Sequence, residues 1–325
     1  MDRFEIFGIE NQAHFEQLCL RVFCHQAEHN AVYREFIRLL GRHSESVTKI
    51  TDIPFLPIEF FKTKKVLSSE DEVETIFTSS GTTGAIPSQH LITNLSLYEQ
   101  SFTRGFEHFY GSPKGYTIMA LLPSYLERGG SSLVYMANAL INSTQSEASG
   151  FYLNELEELA QNLENLDRSG KPVLLLGVSY ALLDLVNLKK FSLSNTIVME
   201  TGGMKGRRKE MVREELHSEL KQGFGVDQIH SEYGMTELLS QAYSKGKGLF
   251  HCPPWMRIAI RDTEDPFHDL DLGRTGGVNV IDLANLNSCS FIATQDLGRM
   301  HDDGSFEIVG RFDHSDIRGC NLMAV

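Results

Sequence analysis

Between residues 116 and 225 the chain alternates two hydrophobic periods, and this alternation most limits what it can fold into. YTIMALLP, PVLLLGV and TIVMETGG are short apolar runs, as in strands buried on both faces. Between and after them, residues 131–140, LNELEELAQNLENL, SYALLDLVNLKK and KGRRKEMVREELHSELKQGFG have helical spacing, the last stopping at a glycine. Strands alternating with helices predict a mostly parallel sheet covered on both faces. From about Phe250 the pattern changes to short strands with turns at DLGRTGG, TQDLG and DDGS, which predicts a smaller, more antiparallel β region.

Upstream, HFEQLCLRVFCHQAEHNAVYREFIRLL reads as one amphipathic helix. IPFLPIEFF, with two prolines, reads as an extended connector. VETIFTSS reads as a strand entering a glycine turn, and residues 91–109 as the helix that follows. The 325 residues fit two folding units or one large α/β domain, with no internal repeat and no linker marking a boundary. The expectation is a single unit: a helical lead-in over about 1–70, a nucleotide-binding α/β part over 71–249, and a β-rich part with a tail over 250–325.

Charge and composition exclude several classes. Lys and Arg number 30 against 43 Asp and Glu, a net charge of −13, which argues against a nucleic-acid binder. The N-terminus lacks a signal-peptide core, and the most apolar stretch, residues 172–188, contains Asp184 and is too short for a membrane span. The five cysteines, at 19, 24, 252, 289 and 320, form no metal-ligand pattern, and an odd count without a leader suggests reduced thiols in the cytoplasm. No G-x-S-x-G elbow is present, which disfavours a serine hydrolase.

The sharpest motif is Thr78-Ser79-Ser80-Gly81-Thr82-Thr83-Gly84. Glycines let backbone amides turn toward an anion, and the hydroxyls add donors, so this loop suits phosphate. It is not the GxxxxGK[ST] loop, because the lysine and the spacing are absent. FTSSGTTG resembles the phosphate loop of the adenylate-forming enzymes: acyl-CoA synthetases, firefly-type luciferases and peptide-synthetase adenylation domains. Four further marks follow in that family's order. These are Gly202-Gly203-Met204 after a strand, Tyr233-Gly234-Met235-Thr236-Glu237, Thr294-Gln295-Asp296, and Gly310-Arg311-Phe312-Asp313. Each alone is an ordinary turn or strand end; their order and co-occurrence carry the resemblance.

The resemblance implies a large α/β domain of adenylate-forming type with stacked sheets, ATP and Mg²⁺ as cofactors, and the reaction of ATP with a carboxylate to acyl-AMP and pyrophosphate. The 78–84 loop would hold the β- and γ-phosphates. Gly202, Gly203, Met204, Tyr233, Gly234 and Met235 would border adenine, Tyr233 with its flat face. Thr236 would donate to the α-phosphate or adenylate, and Glu237 would ligate Mg²⁺. Asp296 would accept from the ribose hydroxyls, with Arg311 adding charge nearby.

Departures narrow the family. The loop usually ends in Pro-Lys, but Gly84-Ala85-Ile86-Pro87-Ser88-Gln89 has no lysine, and Gln295 replaces a glycine. The sequence ends at Val325, soon after GRFD, where typical relatives continue for roughly a hundred residues as a lid carrying a lysine. The chain is similar to a branch without the full lid, the LuxE-type acyl-protein synthetases, over nearly its whole length, including LPSYLER with the following GGSSLVYM and the ending RGCNL. That resemblance implies transfer of a fatty or similar acyl group from acyl-AMP to Cys320, whose thiolate Arg318 and Arg311 would favour. It also implies a downstream acyl reductase, acyltransferase or carrier-protein partner. Transfer to CoA or a carrier protein, and a catalytically silent nucleotide- or acyl-binding module, stay open. Ser124 and Tyr125 either border the acyl tunnel, face Mg²⁺ and pyrophosphate, or form a strand-end turn. His230 either lines the adenine pocket or is a satisfied strand histidine. His90 either faces the phosphates or packs at a helix start, and Lys205, Arg207 and Arg208 either meet phosphates or form a solvated helix end.

Overall fold

The computed structural model describes residues 3–79, 86–122, 129–153, 155–202 and 211–312. The strands in chain order are β1 (Leu56–Pro57), β2 (Thr75–Thr78), β3 (Gln89–Ile92), β4 (Thr117–Leu121), β5 (Gly150–Phe151), β6 (Val173–Val178) and β7 (Thr196–Thr201). Then come β8 (His230–Tyr233), β9 (Ala242–Ser244), β10 (Phe250–His251), β11 (Met256–Arg261), β12 (Thr275–Asp282), β13 (Phe291–Met300) and β14 (Phe306–Arg311). Twelve of them join one sheet, in the order β11-β12-β13-β14-β10-β9-β8-β7-β6-β4-β5, with β1 added to β13.

Strands β5, β4, β6, β7 and β8 run parallel, as the alternation predicts. Every residue of β4 and β6 is buried, which requires cover on both faces. The helices Leu95–Tyr110, Ser132–Ser143, Leu156–Arg168, Ser179–Leu188 and Arg213–Phe224 accompany this half. At β9 the direction reverses and the strands through β14 pair antiparallel. The β-rich C-terminal part therefore continues the parallel sheet edge to edge.

Three local readings change. The long N-terminal helix is two, Gln12–His29 and Ala31–Leu39, because Asn30 adopts extended backbone and caps the second through Oδ1 and the Tyr33 amide at 2.9 Å. A side-chain acceptor at this position offsets the lost helical bonds. The proline-rich connector contributes β1, parallel to β13, and a helical turn at Phe60–Thr63. The segment after the phosphate loop begins as a strand: β3 returns antiparallel to β2, with Phe77 opposite His90, and helix starts only at Leu95. The loop thus lies at the end of a hairpin.

The N-terminal helices pack on the antiparallel half. Phe23, Tyr33 and Phe55 surround Phe291 of β13 with ring centroids 6.1, 6.1 and 6.3 Å away. Two buried amides lock this contact. Gln26 Nε2 donates to the carbonyls of Asn285 and Leu286, both at 3.0 Å, and its Oε1 accepts the Ser290 amide at 2.9 Å. Asn30 Nδ2 donates to the Ser288 carbonyl at 2.8 Å. Because Asn30 both caps a helix and satisfies a buried carbonyl, Asn30→Ala should lower the unfolding free energy by about 2 kcal/mol. In urea titration the midpoint should fall with an unchanged slope; a loss under about 0.5 kcal/mol would mean that neither bond contributes.

Candidate functional site

Of the residues singled out in the sequence, Tyr233, Asp296 and Arg311 meet where β8 faces β13 and β14, and Thr236 and Glu237 meet the β2–β3 hairpin through His90 and Ser88. Ser80 to Gly84 of the phosphate loop, Ser124, Tyr125, Gly203, Met204 and Cys320 lie outside the described residues, as do Lys205, Arg207, Arg208, Asp313 and Arg318. The stem of the loop is described. Ser79 donates its amide to the Ser88 carbonyl at 3.1 Å, and the Ser88 amide donates to Ser79 Oγ at 2.8 Å. The Thr78 amide donates to the Gly130 carbonyl at 2.8 Å. Gly130 has φ +83°, and a Cβ there would lie 3.0 Å from Thr78 Oγ1. A glycine therefore lets the segment after β4 close on the stem.

Tyr233, at the end of β8, joins the two halves of the sheet. Its hydroxyl donates to Asp296 Oδ2 at 2.9 Å, and its ring meets Phe250 and Phe306 edge-on at 5.9 and 5.7 Å. Asp296 stands opposite Arg311 in the β13–β14 register, and Arg311 Nε is 3.4 Å from Asp296 Oδ1. Burial raises the Asp296 carboxyl, while Arg311, the Tyr233 hydroxyl and Arg261 pull it down. Gln295, where relatives carry glycine, donates its side-chain amide to Glu59 Oε1 and so ties the site to the Phe60–Thr63 turn. Arg261, buried, donates to the carbonyls of Val278 and Thr294 at 2.8 and 2.6 Å and backs Asp296 with positive charge.

The Thr236–Glu237 segment runs in irregular backbone. Among the described residues its polar groups are met by side chains. His90 Nδ1 is 2.9 Å from the Thr236 carbonyl, and Asn285 Nδ2 donates to the Glu237 carbonyl at 2.8 Å. Asp282 accepts the amides of Leu239 and Ser240, both at 2.9 Å, the Ser240 hydroxyl at 2.6 Å and the Ala284 amide at 3.1 Å. Burial lifts the Asp282 carboxyl to about 6 even against these four donors. Burial also raises Glu237, opposed by a hydrogen bond from Ser88 and by the charges of Arg311 and Lys62. A hard oxygen whose charge is penalised by burial and relieved by nearby cations fits a divalent cation. Among the described residues no cluster of three or more His, Cys, Asp or Glu could hold a metal by itself. A nucleotide-borne Mg²⁺ needs only one or two protein carboxylates, so Glu237 is compatible with one.

Gly234 also has a defined reason: a Cβ there would lie 2.4 Å from Glu232 Oε1. Glu232 accepts from the Thr201 hydroxyl, and burial together with the Glu200 charge raises its carboxyl to about 7. Behind Gly202, Ser179 Oγ donates to the Gly202 carbonyl at 2.7 Å and to Glu200 at 3.2 Å, and His217 Nε2 lies 3.5 Å from Glu200. His230 bonds Tyr110 at 3.1 Å through Nδ1 and alternates to the face of β8 opposite Tyr233. Of its two readings, this geometry supports the satisfied strand histidine. Met235 is half-buried against the core beside this loop.

Glu59, Lys62, Glu232, Arg261, Asp282 and Asn285 were not singled out from the sequence; Glu232 adjoins the 233–237 motif, and the other five stand outside the motifs. The described thiols divide sharply. Burial pushes Cys19, Cys252 and Cys289 up to about 12, which makes them poor nucleophiles. Cys24 is exposed.

A family model described as "Acyl-protein synthetase, LuxE" matches residues 2–324. A long-chain-fatty-acid–luciferin-component ligase of Vibrio harveyi is 25% identical over 314 residues, covering 90% of this chain and 82% of its own length. A ligase of the same description from Photorhabdus luminescens is 39% identical over 70 residues, 21% of this chain and 60% of that relative. Among solved structures, 2-hydroxyisobutyryl-CoA ligase in complex with 2-HIB-AMP and CoA superposes with a TM-score of 0.68 at 12% identity, covering 93% of this chain and 70% of that one. ATP-bound MatB from Rhodopseudomonas palustris gives 0.55 at 17% identity, covering 75% of this chain, which spans about half of MatB (49%). The likeness establishes an adenylate-forming type of α/β fold.

Because Glu232 carries a folded-state value of about 7 against an ordinary 4.5, the folded protein holds its proton more tightly than the unfolded chain. Stability should therefore fall as pH rises from about 4.5 to about 7. Glu232→Gln, which keeps an acceptor for Thr201 without the charge, should remove that fall and gain up to roughly 3 kcal/mol above pH 7. Urea midpoints of both proteins between pH 4 and 8 read this; parallel curves would refute the assignment.

Proposed function

The chain belongs to the acyl-protein synthetase (LuxE) family, and on that premise we propose that it activates a fatty or similar carboxylic acid with ATP and passes the acyl group to its own Cys320. The observation that carries this reading is the Tyr233–Asp296 hydrogen bond beside Arg311, at the mouth of the Thr236–Glu237 segment. It brings Tyr233, at the end of the parallel strand β8, together with Asp296 and Arg311 of the antiparallel strands β13 and β14, so that three separated motifs meet.

The substrate carboxylate attacks the α-phosphorus of ATP, and the bond to pyrophosphate breaks. Thr236 and the hydroxyls of the 78–84 loop donate to the phosphates. Asp296 and Arg311 would hold the ribose side, Tyr233 and the 202–204 and 234–235 backbone would border adenine, and Glu237 would hold Mg²⁺, which when bound offsets the phosphate charge. The Cys320 thiolate then attacks the acyl carbon, the bond to AMP breaks, and a thioester remains. Suppression of Cys19, Cys252 and Cys289 by burial leaves fewer competing nucleophiles. A downstream acyl reductase, acyltransferase or carrier protein would take the acyl group. Among the described residues no helix is long and apolar enough to cross a membrane, and we place the reaction in the cytoplasm. A second reading, transfer to CoA, draws on the fold shared with the CoA-bound ligase.

Intact mass spectrometry after incubation with MgATP and a panel of carboxylic acids tests this. One acid should add its acyl mass; the adduct should be released by hydroxylamine and absent in Cys320→Ala, with Cys24→Ala unaffected. Pyrophosphate release without an adduct, made productive by CoA, would move the acceptor to CoA. ATP binding with no pyrophosphate release for any acid would leave a silent module.

A further inference from the structure

His90 sits on β3, the strand that leads away from the glycine-rich loop. It is fully enclosed and edge-on to Phe61, with ring centroids 5.5 Å apart. Both ring nitrogens are engaged. Nδ1 is 2.9 Å from the Thr236 carbonyl, and Nε2 is 2.8 Å from Ser288 Oγ. A carbonyl only accepts, so Nδ1 carries the proton; Nε2 is then the acceptor and Ser288 the donor. The ring is thus a one-tautomer strut. One end holds the carbonyl of the residue assigned to the reacting phosphate. The other rests on the 285–290 turn, whose Ser288 carbonyl is itself held by Asn30 at 2.8 Å. His90 also belongs to the β2–β3 pair, so it couples that pair to the Thr236 segment.

We propose that His90 is a positioning residue for the adenylation step, acting through the Thr236 carbonyl to fix the Thr236 hydroxyl against the phosphate. The inference rests on the adenylate-forming reading. It departs from the expectation that a histidine here either faces phosphate or packs at a helix start: it does neither, and reaches the chemistry from behind.

The chemistry of the strut supplies its own test. An asparagine side chain places an N–H donor where Nδ1 stands, whereas a glutamine places its donor nearer the position of Nε2. His90→Asn can therefore keep the bond to Thr236, and His90→Gln cannot. In ATP–pyrophosphate exchange with the acid that gives the largest wild-type signal, His90→Gln and His90→Phe should lower kcat by about 10- to 100-fold with KM for ATP changed less than about threefold. His90→Asn should recover to within about fivefold of wild type. Amide hydrogen exchange of residues 236–240 in the nucleotide-free protein should follow the same order, protected in wild type and His90→Asn and opened in the other two. Equal behaviour of the Asn and Gln variants, or full exchange activity in His90→Phe, would overturn the proposal. If the wild type shows no pyrophosphate exchange with any acid, the adenylation reading fails, and the hydrogen-exchange order still decides whether His90 holds this segment.

Discussion

The Thr236–Ser240 backbone turns through the centre of the molecule without a strand or helix partner, and Asp282 carries much of its hydrogen bonding. One carboxylate collects two amides of that segment, a hydroxyl and the amide that opens its own 3₁₀ turn. Asn285 and His90 complete the set from two further directions. A buried backbone group left unpaired is costly, so such a lattice of side chains is either complete or strongly destabilising. Ser240 extends it to Trp255 and Ser101, at 2.9 Å each, so that the indole and the Leu95–Tyr110 helix are fixed by the same atoms. The segment that would touch nucleotide is thus held by side chains from three directions, the condition under which a binding site is preorganised.

How far the sequence disclosed this depends on whether a residue's role is local. The β4, β6 and β7 runs are buried along nearly their whole length and are legible as such, because a fully covered strand needs no alternation to be recognised. The motifs at 233–237, 294–296 and 310–313 were legible through their order. Strand β3 was not: QHLI is short, places a histidine among apolar residues and runs into a genuine helix within a few residues, so its period is too brief to separate from helix. Asn30 was missed for the opposite reason. The apolar spacing continues through it, and only its cap reveals the break. Gln26, Asp282 and Asn285 act through partners far along the chain, and nothing local to them marks that.

The site also shows why the departures from the commoner pattern are tolerated. Gln295 in place of glycine reaches to Glu59, and its carbonyl accepts the Phe312 amide at 2.8 Å. The larger side chain therefore buttresses the Asp296 strand from the Phe60–Thr63 turn. That turn also carries Phe61, against His90, and Lys62, whose charge is felt at Glu237. A stretch that reads as a proline-rich connector is in this way a bracket linking the Asp296 strand to Glu237.

The side-chain amide of Gln26 bridges 259 and 260 positions of sequence to reach Asn285 and Leu286. During synthesis the first helices leave the ribosome long before the turn that receives them exists. Pairings of such separation close late, after most of the chain has paid its entropy of ordering. The Thr236 segment, braced by that same turn through Asn285, cannot set until residues 285–290 have been made. A nascent chain would then hold this segment unbraced, and adenylate formation would wait on a contact that closes across 259 positions of sequence.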